Sequence, residues 1–235
     1  MITTTQLLSE VTAEAPDTTV DAPAATRRRR AVVAIFLVVG AVILGFSLTS
    51  EPGDASFYPL TVALGATWVI GGLLSGPIRL GRFGVESTPS RLGATVLGLA
   101  VGLGVGVAFV VGALITREIP VLSDLVTDVL ALRDQGSLLA VTLITLGNGV
   151  AEEIFFRGAV YSAAQRHWPI LVSTVLYTAA TLASGNPMLG FAAIILGAAC
   201  AVLRRCTDGV LAPICTHVVW GAIVLFALPP IFTAG

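Results

Sequence analysis

Apolar stretches separated by short polar segments recur along most of the chain, and a helix needs about 20 apolar residues to cross a bilayer core. On that measure we place spans at residues 31–50, 58–78, 92–116, 137–163, 169–185, 188–203 and 209–229. Between the third and fourth, Pro120 to Gln135 carries apolar residues near helical spacing, with Asp124 and Asp128 among them, which predicts a short interfacial helix. Ser184 to Pro187 is a candidate re-entrant break. The expected fold class is all-α: a polytopic transmembrane bundle of about seven spans. Three regions follow: a disordered tail over 1–30, N-terminal helices over 31–136 including the interfacial helix at 120–135, and core helices over 137–235. The spacing Gly98, Gly102, Gly106 offers a small-residue face for close helix packing.

Composition removes the soluble alternative. Of 235 residues, 55% are hydrophobic and 11% charged, with a mean hydropathy of +0.93. Soluble domains carry roughly 25% charged residues, so this chain could not cover a water-facing surface. A net charge of −1 implies no nucleic-acid partner, and Cys200, Cys206 and Cys215 form no disulfide framework and no CxxC pair. Arg27 to Arg30 followed by an apolar run also fits a signal peptide. The length of the run and the lack of a small-x-small site before Glu51 favour an uncleaved first helix.

All 13 basic residues are arginine. With the N-terminus in the cytoplasm, Arg27 to Arg30, Arg79, Arg82, Arg91, Arg157, Arg166, Arg204 and Arg205 fall inside, and Arg117 and Arg133 outside. This bias follows the positive-inside rule. The expected location is the cell membrane, as a multi-pass protein, and the lysine-free composition rich in Ala, Gly and Val points to a high-GC bacterial genome.

Against this background Glu152, Glu153 and Arg157 stand out. A charge deep in a membrane helix costs roughly 2.5–3.5 kcal/mol on insertion scales. Glu153 and Arg157 lie four apart on one helix face, Glu first, and can pair. Glu152 sits about 100° away and has no such cation, which a purely structural ion-pair network leaves unexplained. A carboxylate in a low-dielectric site can act as a general base on water. His217 is the second intramembrane ionisable group. Counted from the arginine side, it lies about 12 Å deep and the glutamates about 15–17 Å deep. That shared level predicts one polar cavity, expected to open towards the cytoplasm.

The run Glu152-Glu153-Ile154-Phe155-Phe156-Arg157-Gly158 resembles the EExxxR motif of the CPBP family, the CAAX prenyl protease and bacteriocin-processing (Abi) membrane proteins, over roughly residues 137–229. The resemblance implies a helical intramembrane protease in which Glu152 activates water, Glu153 and Arg157 organise the site, and His217 serves it. Two motif positions differ. The family's FxxxH aligns with Tyr177 to Thr181, so threonine replaces the histidine. The third motif aligns with His217 to Gly221, and its Asn or Asp is gone. His167 is out of register, at the cytoplasmic helix end before Pro169. The resemblance admits zinc, but the ligand set, Glu152 or Glu153 with one histidine, falls short of the usual three protein ligands, and the cofactor stays open. No HExxH, GxGD or GxSG motif supports another membrane protease.

The expected function is intramembrane endopeptidase, of metallo- or glutamic type, cutting a peptide bond near the cytoplasmic side. Its partners would be a peptide or membrane-protein substrate and the lipid bilayer. The alternative is a catalytically inactive family member that binds or regulates a membrane partner. A proton-coupled carrier would also use intramembrane Glu and His, but the two halves show no inverted repeat.

Overall fold

The computed structural model describes residues 23–48, 56–84, 89–131 and 137–233. Nine helices cover most of these: α1 (Pro23–Leu48), α2 (Phe57–Ser75), α3 (Arg91–Thr116), α4 (Pro120–Ala131), α5 (Leu138–Ala163), α6 (Pro169–Leu182), α7 (Pro187–Thr207), α8 (Leu211–Ala227) and α9 (Pro229–Thr233). No strand occurs among the described residues beyond an isolated bridge between Phe83 and Ser90. The protein is a polytopic helical membrane bundle. Among the described residues six helices are long and apolar enough to cross a membrane, and large apolar side chains such as Ile35, Val38, Leu73, Leu103 and Leu143 face outward, as lipid contact requires.

Local chemistry sets the helix starts. Ser90 and Ser137 cap α3 and α5 through their hydroxyls, and Asn186 Oδ1 caps α7 by accepting from Met188 and Leu189. Pro169 and Pro187 occupy first-turn positions, where the missing N–H is no loss.

Two expectations change. The first helix begins at Pro23, not Ala31, so Arg27 to Arg30 lie on the helix and not in a tail. The reason is local: Arg28 donates to Leu74 O (3.2 Å) and Arg29 to the Ser75 hydroxyl (3.3 Å), both at the end of α2. Arg30 Nε donates to Ala163 O at the end of α5 (3.0 Å). Arg28 and Arg30 thus meet carbonyls in the last turn of a helix, where carbonyls lack an intrahelical partner, and Arg29 meets a hydroxyl there. The tail expected over residues 1–22 lies outside the described residues, as does Arg133. The second change is α6. Its 14 residues rise about 21 Å, short of a full crossing. The turn at Ala183 to Asn186 follows, where Asn186 Nδ2 donates to Leu125 O on α4 (2.8 Å).

The glycine stripe of α3 packs on α8. Gly98, Gly102 and Gly106 are buried. A Cβ on Gly102 would come within 2.8 Å of Thr216 O, and Thr216 Oγ1 donates to Gly98 O (2.9 Å). The stripe therefore fixes the helix that carries His217. On the arginine face, the segment after α2 is pinned to the α7–α8 turn: Arg82 N donates to Thr207 O (2.8 Å), Val210 N to Arg79 O (3.0 Å) and Leu211 N to Leu80 O (3.0 Å).

Candidate active site

Helix α5 changes its winding at the charged motif. Leu138–Glu153 is α-helical, Ile154–Val160 is a π-helical segment in which Tyr161 N–H bonds Phe156 O, and Tyr161–Ala163 is α-helical again. Such wide turns are rare and concentrate at functional sites. Here the change of winding begins directly after the two glutamates, which take different environments.

Glu153 is fully buried and structural in its contacts. Its Oε1 accepts from Arg157 Nη1 at 3.0 Å and lies 2.8 Å from His217 Nδ1. Arg157, also fully buried, donates through Nη2 to Gly197 O (3.0 Å), while its own carbonyl accepts from Arg204 Nε (3.0 Å). These further hydrogen bonds offset part of the desolvation of the buried pair; Glu153 Oε2 and Arg157 Nε have no hydrogen-bond partner among the described residues. Because Glu153 is paired with a cation, its carboxylate acts as an acceptor, and the His217 tautomer assigned from that contact carries its proton on Nδ1. His217 Nε2 is then directed towards Glu152, 3.8 Å from Oε2.

Glu152 faces a cavity. Its side chain keeps 20% exposure where Glu153 has none. Its Oε2 accepts a hydrogen bond from Tyr177 Oη at 2.8 Å, and the Tyr177 ring lies under the Arg157 guanidinium, 4.6 Å from its centroid. Gly149, one turn before, lets the imidazole approach: a Cβ there would sit 2.9 Å from His217 Cδ2. The structure thus brings Glu152, Glu153, Arg157 and His217 together, and adds Tyr177. Its only sequence signal was a tyrosine where the family's second motif has phenylalanine.

The cavity encloses about 260 Å³. Its walls come from the first half of α5 (Val141, Thr145), the start of α2 (Thr61), the start of α7 (Leu189), α8 beyond His217 (Val224), and Leu130 of α4. The expected opening on the arginine-bearing side therefore needs correcting: the space extends from Glu152 away from that side. The reason is a packed layer below the glutamates. Phe155, Phe156, Arg157, Gly158, Cys200 and Arg204 are buried, Ser173 Oγ closes on Phe156 O (2.9 Å), and Ile78 lies over Gly158.

Neither altered motif position contributes a polar group directed at Glu152. Thr181 Oγ1 donates to Tyr177 O within its own helix (2.9 Å). Gly221 lines the cavity beside Leu146 and has no side chain to donate. His167 is exposed in the α5–α6 turn, away from the site. Among the described residues no three His, Cys, Asp or Glu side chains form a metal-binding group. Glu153 is wholly buried, with Oε1 held by Arg157 and His217, and does not line the cavity, so Glu152 and His217 Nε2 are the donors that face it. That set does not fit a zinc site with three protein ligands.

The fold and the site together define a membrane-embedded helical protein with a carboxylate at the base of an apolar cavity. Residues 134–223 match the family model Rce1-like, described as type II CAAX prenyl endopeptidase Rce1-like. The match spans the motif helix through the histidine helix. No curated protein and no solved structure gives a significant match.

Proposed function

We propose that the protein is an intramembrane endopeptidase of the cell membrane that uses Glu152 to activate water. The observation that carries this is the division of labour within the pair: Glu153 is wholly buried with Oε1 held by Arg157 and His217, whereas Glu152 faces the cavity with Tyr177 on one oxygen. In the proposed step a water near Glu152 and His217 Nε2 gives a proton to Glu152. Its hydroxide adds to the scissile carbonyl carbon, and the C–N bond then breaks as the proton passes to the leaving amine. Tyr177 Oη–H, which donates to Glu152 Oε2, orients that carboxylate at the base of the cavity. His217, held by Glu153, orients the water. Glu153 and Arg157 are positioning residues.

Comparison of newly formed protein termini in cells carrying wild type or Glu152→Gln tests this. Termini present with wild type and lost in the variant are expected; identical termini overturn it. The second reading, a non-catalytic binding protein, draws on Thr181 and Gly221, which leave Glu152 with fewer polar partners than the family motifs supply. It predicts that a membrane partner is still captured, and its function retained, with Glu152→Gln.

A further inference from the structure

We infer that the site takes its substrate from the non-cytoplasmic side of the membrane, and that this substrate is a polypeptide segment with apolar side chains around the cut. The inference rests on the peptidase assignment for the word substrate, but its geometry stands apart from it.

Chain direction supplies the argument. With the arginine-rich face in the cytoplasm, α2, α5 and α7 run inward and α1, α6 and α8 run outward. Each of these six helices then contributes to the cavity from its outer part. Thr61 and Leu64 lie in the first half of α2, Val141 and Thr145 in the first half of α5, and Leu189 at the start of α7. Leu44 lies near the end of α1, Thr181 at the end of α6 and Val224 near the end of α8. Helix α4, which follows the outward-running α3, places Val129 and Leu130 at the mouth. On the other side of Glu152 the path is shut by the Glu153–Arg157–Gly197 contacts, by Arg204 on Arg157 O, and by the paired turns at residues 79–82 and 207–211.

The walls state the chemistry of the guest. Apart from Glu152 and His217, the described lining residues carry no charged or imidazole side chain. A charged flanking residue would enter without a partner, which is costly in an apolar surround. A second, almost wholly apolar groove between α3, α4, α7 and α8 shares Val129, Leu130, Leu189, Ala192, Trp220 and Val224 with the cavity. It gives an apolar flank somewhere to lie beside the mouth. Helix α4 has no buried residue of its own, so it covers this entrance without being part of the core.

Accessibility tests the inference without relying on cleavage. In the full chain with its three native cysteines replaced by alanine, single cysteines are introduced at Thr145 and, as a second probe of the same wall, at Thr61. Arg117→Cys marks the outer face and Arg166→Cys the arginine face. Right-side-out and inverted vesicles are treated with a membrane-impermeant cationic methanethiosulfonate. We expect Thr145→Cys and Thr61→Cys to label with the Arg117→Cys marker and to be protected where Arg166→Cys labels. Labelling with the arginine-face marker, or from neither side, overturns the inference. Outer labelling combined with unchanged cellular termini for Glu152→Gln would instead overturn the peptidase assignment and leave the outward opening in place.

Discussion

Tyr177 Oη donates to Glu152 Oε2 at 2.8 Å, while Thr181, which stands at the second-motif histidine position, spends its hydroxyl on Tyr177 O. The polar partner of the candidate base thus stands one helical turn along α6, at the first motif position and not the fifth. A single side chain in this chain both stacks under Arg157 and contacts Glu152.

Tyr177→Phe keeps the ring and removes the donor. A hydrogen bond to a charged group is worth about 1.5–3 kcal/mol, so turnover should fall by roughly 10- to 100-fold. Folding should be intact, because the ring packing on Phe156 remains. Single-turnover cleavage of a substrate found through its Glu152-dependent termini, with thermal unfolding in detergent alongside, checks both halves.

The two glutamates should separate in stability. Glu153→Gln leaves Arg157 buried without its carboxylate, a loss of about 3–5 kcal/mol, and is expected to lower the melting temperature strongly or abolish folding. Glu152→Gln faces the cavity and should melt close to wild type. Asp208→Asn breaks contacts to Arg79 and Arg204, but Asp208 is half exposed and should cost less than about 1 kcal/mol. Equal effects for Glu152 and Glu153 would show that the division of roles drawn from their burial is wrong.

Gly149→Ala tests the placement of His217. The added methyl would meet the imidazole at 2.9–3.3 Å and must push it from Glu152, so activity should fall while the bundle still assembles. Gly221→Ala is the matched control, since its Cβ meets only Leu146, at 3.4 Å. If both alanines behave alike, the position of the ring is not critical.

Thr216→Val removes the bond to Gly98 O and should destabilise by about 1 kcal/mol. Gly102→Val drives a branched side chain into Thr216 O and Val219 and should separate α3 from α8. Loss of folded protein for Gly102→Val with survival of Thr216→Val is the expected order in a denaturation series.

Much of this was legible in the sequence because a bilayer penalises charge so strongly. The apolar runs gave six of the seven expected spans at crossing length, and Glu152, Glu153, Arg157 and His217 were the charges or imidazole left over. Gly98, Gly102 and Gly106 also read correctly as a packing face. What the sequence hid was tertiary. The start of α1 depends on arginines reaching acceptors at the ends of α2 and α5, more than forty residues away at the least. Tyr177 looked like an ordinary aromatic until its hydroxyl had a partner. Depth counting put the ionisable groups at one level, but depth alone does not say which side of that level is packed. Phe155, Phe156 and Ile78 decide that, and nothing in their own identity marks them as a plug.

The wide turn at Ile154–Val160 has a mechanical consequence. A helix with one extra residue in a turn behaves as two shafts joined by a coupling, so the halves of α5 are set at angles a uniform helix would not allow. The outer shaft aims Glu152 at the cavity; the inner shaft seats Gly158 under Ile78 and ends on Arg30. Excising one residue from the coupling would turn the shafts against each other by about 100°. Every residue of the charged motif could then survive in the sequence while its two ends no longer faced the same partners.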